Sequence, residues 1–298
     1  MNSISKFKSL TLIAGLSVLA NLAAVDIPDY DGLPDFSHPE TVTDQTFILT
    51  AQHSGSHLLL STIQLLTNRC VRHPFTLEQF YKSPSPLYFV PVDYDYSKPT
   101  LFFTHGCPDV DRLDSKKNKL IITLRDYKEN ICRLLVQELF PEPQFKTIAE
   151  EALQSLDLGA LLKQEITSLR PIANAYFERL KIFDRWEPEN RYLASYEDML
   201  TDGKRVFYEV MKVLNERNEA FDLFFENEFE NHRKYLLHFY RRSGRNCMTQ
   251  GEDLHFFAKR IPFEVLQEID LFVKNRYPTL WKKYLHLYES TPLYSMEK

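Results

Sequence analysis

Six residues, Gln52-His53-Ser54-Gly55-Ser56-His57, stand between a short apolar run, Thr46–Thr50, and residues 58–66, whose apolar positions follow a helical period. A strand that feeds a small polar loop into a helix aims backbone N–H groups, the two serine hydroxyls and the positive end of a helix dipole at one point. That is a physical recipe for holding an anion. The loop lacks the Gly-Lys-Ser/Thr ending of a triphosphate cradle, and two histidines stand where a lysine would be expected. Read alone, the same residues also fit a plain turn with Ser56 as helix N-cap.

Four later positions carry chemistry of their own. His105 follows the apolar run 100–104, and open α/β sheets place ligands just past the carboxyl ends of parallel strands. Arg125-Asp126 closes the clearest strand of the chain, Lys119–Leu124, and puts a cation at a second strand-to-helix turn, unless Arg125 is spent on an ion pair with a carboxylate. Tyr196 ends a fourth strand expected over 192–196. Arg241-Arg242-Ser243-Gly244-Arg245 is the densest positive charge in the chain and is suited to a loop that closes over a phosphate.

Strands alternating with helices position these groups, and they imply right-handed crossovers and a mostly parallel sheet with helices on both faces. Residues 58–66 and 204–214 read as amphipathic helices, 128–139 and 144–183 as helical, and 263–288 as two helices split by Pro278. Residues 73–99, rich in Pro and Tyr, read as loops with a short strand near 87–90. The chain has 298 residues, enough for one α/β domain. Its 41 acidic against 36 basic residues give a net charge of -5, which argues against general nucleic-acid binding and confines any anion site to a local basic pocket. Lys6 and Lys8 before a mostly apolar stretch, then Ala23-Ala24, predict a signal peptide over 1–24 and an exported chain; an uncleaved anchor or a cytoplasmic chain are the alternatives. Residues 25–44 form an irregular lead-in and 45–290 the domain, with no apolar run long enough for a second membrane segment. Cys70, Cys107, Cys132 and Cys247 contain no CxxC pair, so no metal cluster is expected and their pairing stays open.

Taken in order, the Ser-Gly-Ser loop, the Thr104-His105 and Leu124-Arg125-Asp126 strand ends, Tyr196-Glu197-Asp198 and the Arg-Ser-Gly stretch resemble the sulfotransferases that use 3′-phosphoadenosine 5′-phosphosulfate (PAPS). The resemblance runs from about residue 45 to 285. It implies that His53, Ser54, Gly55, Ser56 and His57 hold the 5′-phosphosulfate, with His53 in the place of the family's basic residue. It further implies that His105 is the general base, that Arg125 contacts the 3′-phosphate and Tyr196 the adenine, and that Arg242, Ser243 and Gly244 cover the 3′-phosphate. Phe103 stands where family members carry a catalytic lysine, Arg133 where they carry a phosphate-binding serine, and Leu58 where an adenine-stacking tryptophan is common.

The chemistry implied is transfer of a sulfuryl group from PAPS to a hydroxyl or amine acceptor, leaving 3′,5′-bisphosphoadenosine, with no metal. Such a displacement asks the protein for positioning and charge stabilisation, roles that fit the loop N–H groups and a protonated His53. Two other readings compete: an inactive relative that serves as a binding or secreted interaction protein, favoured by Phe103 and the altered loop, and a P-loop nucleotide kinase, disfavoured by the missing lysine.

Overall fold

The structure, a computed structural model, describes residues 38–72, 94–95, 97–106, 110–140, 153–216, 219–242 and 255–289, with the backbone alone for 238–242. The expected signal segment, residues 25–37 of the lead-in, the strand near 87–90, Ser243 and Gly244 lie outside these residues. Five strands form one parallel sheet: β1 (Thr46–Thr50), β2 (Val71–Arg72), β3 (Leu101–Thr104), β4 (Lys119–Leu124) and β5 (Arg191–Ser195), in the order β2-β3-β1-β4-β5. The domain is therefore α/β, as the alternation of apolar runs and helical periods requires. Sequence reasoning missed β2, whose two residues are too short to carry a period.

Alternation along the strands sorts the core into two faces. Ile48, Phe103 and Ile121 pack with α1 (Ser56–Thr67), while Phe47, Leu49, Phe102, Leu120 and Ile122 pack on the opposite side. The helix that follows β4, α2 (Tyr127–Leu139), sends Tyr127, Ile131, Leu135 and Val136 into a cluster apart from that of α1, together with α3 (Leu158–Ser168) and α4 (Pro171–Arg185). Chain connections thus leave the middle of the sheet in opposite directions after β1 and β4. The crevice between those two carboxyl ends is the topological switch point, where open α/β sheets take their ligands.

Several sequence expectations need correction. The helix over 58–66 is not amphipathic: Ser61, Thr62, Gln64 and Thr67 are buried along with its leucines, because the sheet lies on one side of α1 and later helices cover the other. Within 144–183, the described residues from 158 onward form two helices rather than one, since Leu169 takes a left-handed conformation at the end of α3 and Pro171 starts α4 afresh. Tyr196 does not end β5 but opens α5 (Tyr196–Thr201), because the Ser195 hydroxyl caps the helix by accepting the Asp198 N–H at 3.3 Å. Beyond α6 (Gly203–Leu214) and α7 (Phe221–Asn227), α8 runs over Phe229–Arg242, so Arg241 and Arg242 are helical rather than part of a loop. Only α9 (Phe263–Arg276) is a long helix in the last stretch; short 3-10 and π turns follow Pro278.

His232 fastens α8 to α1 with its Nε2 2.8 Å from the Ser61 hydroxyl, and burial lowers its pKa from 6.5 to about 4. A histidine that refuses a proton in the fold costs stability as pH falls from 6.5, where the unfolded chain accepts it, down to about 4, where both states hold it. At pH 5 the cost is about 2 kcal/mol. His232→Gln is expected to keep its urea midpoint at pH 5 closer to the pH 7 value than the wild type does; equal midpoint shifts in the two proteins would refute this.

Candidate functional site

The register of the sheet sets the site. Thr50 lies opposite Thr123, Leu49 opposite Thr104, and Leu124 opposite Ser195, so the carboxyl ends of β1, β3, β4 and β5 are nearly level. Residues just past those ends share one edge of the sheet: the 51–57 loop, His105, Arg125 and Tyr196.

The loop turns sharply because two residues take left-handed backbone, His53 at φ 61° and Gly55 at φ 82°. Gly55, not Ser56, caps α1, and Ser56 is its first helical residue. A side chain at Gly55 has nowhere to go, since a Cβ there would sit 2.3 Å from the Tyr196 ring and 3.0 Å from Met199. Gly55→Ala is expected to lose at least 1–2 kcal/mol, roughly the cost of left-handed backbone alone, and to displace Tyr196. Denaturant unfolding checks the first effect, and unchanged stability would mean that the turn is not held as described.

The Ser54 hydroxyl is turned into the protein. It is fully buried, donates to the Ala51 carbonyl at 2.5 Å and also pairs with Thr123 Oγ1, thereby tying the loop to β4. Two further bonds fasten the loop to the start of α2: Asn130 Nδ2 donates to the Gln52 carbonyl at 2.6 Å, and Arg125 Nη1 to the His53 carbonyl at 3.1 Å. His53 Nε2 lies 2.7 Å from Gln137 Oε1. Burial brings the His53 pKa down from 6.5 to about 4; the Gln137 bond opposes this, and Arg133, Arg125 and His105 reinforce it. These surroundings therefore favour the neutral form of His53. Ser56 is buried, and His57 is half-buried in the first turn of α1.

Arg125 is the centre of the site. Its guanidinium lies 4.6 Å from the centroid of the Tyr196 ring, which packs in turn against Gly55, so β1, β4 and β5 all meet there. Beneath it runs a buried set of charges. Glu129 accepts from Arg133 Nε at 2.8 Å and lies 3.7 Å from Arg125 Nη2. The other Glu129 oxygen accepts the Phe257 and Ala258 N–H groups at 2.8 and 2.9 Å. Burial and Arg125 both work against the charge of Arg133, and Glu129 supports it. Two cations thus face the Glu129 carboxylate, and Arg125 also acts on the buried Glu197. The ion pair anticipated for Arg125 thus exists, to Glu129 rather than Asp126; Asp126 caps α2 and faces Lys128 and His255, each at 3.6 Å. Glu197, whose pKa burial raises, accepts the Asp126 N–H at 3.1 Å and the Ser195 hydroxyl at 3.0 Å, fixing the Arg125-Asp126 turn against α5.

His105 closes the other side. Its ring stands edge-on to Phe103, centroids 4.9 Å apart, and its carbonyl accepts from Arg179. Phe103 is buried with the α1 leucines, as is Leu58. The structure therefore brings His53, Gly55, Arg125 and Tyr196 into direct contact, with Ser54 tied to Thr123, Arg133 linked to Arg125 through Glu129, and His105 on the same edge. The Arg242 side chain, Ser243 and Gly244 lie outside the described residues. Sequence reasoning passed over Glu129, although its i,i+4 spacing from both Arg125 and Arg133 was a usable signal. It also passed over Thr123, Asn130 and Gln137, whose relation to the loop exists only in three dimensions. Among the described residues, no cluster of three or more His, Cys, Asp or Glu side chains is placed to hold a metal ion.

These features define an open α/β domain with two buried arginines at the switch point of a parallel sheet. Among solved structures the chain is similar to mouse sulfotransferase SULT7A1 complexed with PAP, at 14% identity and a TM-score of 0.43 over 62% of this chain and 64% of that one. It is also similar to the sulfotransferase domain from the curacin biosynthetic pathway, at 15% identity and a TM-score of 0.36 over 60% of this chain and 76% of that one. The match spans less than two thirds of the mouse protein's length. No protein-family model matches the chain, and no curated protein matches it.

Proposed function

We propose that the protein transfers a sulfuryl group from PAPS to a hydroxyl or amine acceptor. The observation that carries the reading is the meeting of Arg125, Tyr196 and the His53–Gly55 turn at one corner, in the chain order that resembles the family's own. In this reading the adenine lies by Tyr196 and the 3′-phosphate on Arg125, with Arg242, Ser243 and Gly244 closing over it. Arg133 serves chiefly by occupying Glu129, which keeps the charge of Arg125 for the ligand. The 5′-phosphosulfate rests at the N-terminal end of α1. A doubly charged group beside His53 reverses the balance that keeps it neutral, so donor binding draws a proton onto His53 and readies it to stabilise the leaving phosphate. His105 removes the acceptor's proton.

Transfer of radiolabelled sulfate from PAPS to a panel of glycans, phenols and tyrosine peptides tests the proposal. Stabilisation by bisphosphoadenosine with no transfer to any acceptor, or to water, would favour the inactive, ligand-binding reading that Phe103 suggests. Stabilisation by ATP with magnesium in preference to bisphosphoadenosine would favour the nucleotide kinase and overturn the proposal.

A further inference from the structure

Thr50, the last residue of β1, is fully buried, and it touches His105 twice: Nδ1 lies 2.9 Å from the Thr50 hydroxyl and 3.3 Å from its carbonyl oxygen. A carbonyl oxygen only accepts, so the Nδ1–H form of the neutral ring is the one that satisfies both contacts, and it leaves the basic lone pair on Nε2. Phe103 holds the ring from its edge, and Arg179 holds the His105 carbonyl. We propose that Thr50 is the positioning residue that fixes the tautomer of His105 and thereby aims Nε2 at the acceptor, while the same residue opens the loop that would hold the donor.

This deepens the reading of His105 as base and rests on it. In-line transfer asks that two things be set at once, the direction from which the acceptor oxygen approaches and the place of the leaving phosphate. Thr50 is bonded to the ring on one side and continues into Ala51 and the 53–57 turn on the other. The hydroxyl is the nearer of the two acceptors facing Nδ1, at 2.9 Å against 3.3 Å for the carbonyl, so its loss weakens the hold on the Nδ1 proton even where the shape of the strand is kept.

The test is the pair of His105 ring ¹⁵N shifts in histidine-labelled protein near neutral pH, read in wild type, Thr50→Val and Thr50→Ser. The expected result is the Nδ1–H tautomer in wild type, a measurable share of Nε2–H in Thr50→Val, and recovery in Thr50→Ser. The rate of transfer is expected to fall about tenfold in Thr50→Val, the worth of one neutral hydrogen bond, with the KM for PAPS unchanged and the rate restored by serine. A wild-type His105 in the Nε2–H form overturns the proposal, and that measurement holds even if Thr50→Val fails to fold. Identical tautomers in wild type and Thr50→Val overturn it as well. Absence of transfer in every protein, with the tautomers behaving as expected, would strike the functional reading and leave the role of Thr50 in fixing the ring standing.

Discussion

His105→Ala is expected to lower sulfuryl transfer by about two to four powers of ten, the usual worth of a positioned general base, while leaving affinity for bisphosphoadenosine within a factor of about two. The two halves of that outcome separate because His105 follows β3, whereas Arg125 and Tyr196 follow β4 and β5. His105 is held by Thr50, Phe103 and Arg179, whereas Arg125 and Tyr196 are held by Glu129, Glu197 and the Gly55 turn. Removing the imidazole therefore leaves the Arg125 network with all its partners. Single-turnover transfer from labelled PAPS gives the rate, and calorimetry with bisphosphoadenosine gives the affinity. Near-normal turnover in the variant would dismiss His105 as base. A joint loss of rate and affinity would mean that the ring supports the fold of the edge rather than the chemistry.

The sheet was readable because its central strands are buried on both faces. Residues 46–50 and 120–124 are unbroken apolar or β-branched runs bounded by polar residues, and the strands expected over 46–50 and 119–124 formed with those bounds. The turn after each strand was readable for the same reason: polar residues between two buried segments must lie at an edge. What the chain order could not reveal was which way those polar groups face. Ser54 looked like a ligand to an anion, but a hydroxyl two residues past Gln52 finds Ala51 and Thr123 nearer than solvent, and it serves the loop's own shape. His53 looked like a cation, but burial holds it neutral, and the two nearby arginines add to that effect. Glu129 was invisible as a partner of the Phe257 and Ala258 amides because 128 residues separate it from the nearer of them.

Arg125→Ala is expected to weaken binding of bisphosphoadenosine at least 30-fold, from the loss of roughly 2 kcal/mol or more that accompanies truncation of one partner in a buried charged contact. A structural role must be set apart from a ligand role here, since Arg125 also donates to the His53 carbonyl and faces Glu129. The geometry supplies the separation. Glu129 keeps Arg133 and two backbone N–H groups when Arg125 is removed, and Glu197, which loses a cation, keeps the Asp126 N–H and the Ser195 hydroxyl, so both carboxylates retain hydrogen-bond partners. The affinity loss should therefore exceed the stability loss. Arg125→Lys sharpens the distinction, because an ammonium keeps the charge but lacks the planar fork that spans the His53 carbonyl, the Tyr196 face and a phosphate together. Its affinity should fall between those of wild type and Arg125→Ala, with much of the salt dependence of binding retained. Calorimetry on folded protein, with thermal unfolding in parallel, reads both quantities. If Arg125→Ala unfolds more easily yet binds bisphosphoadenosine with wild-type affinity, Arg125 is a strut between the loop and α2, and the basic corner is not where the nucleotide sits.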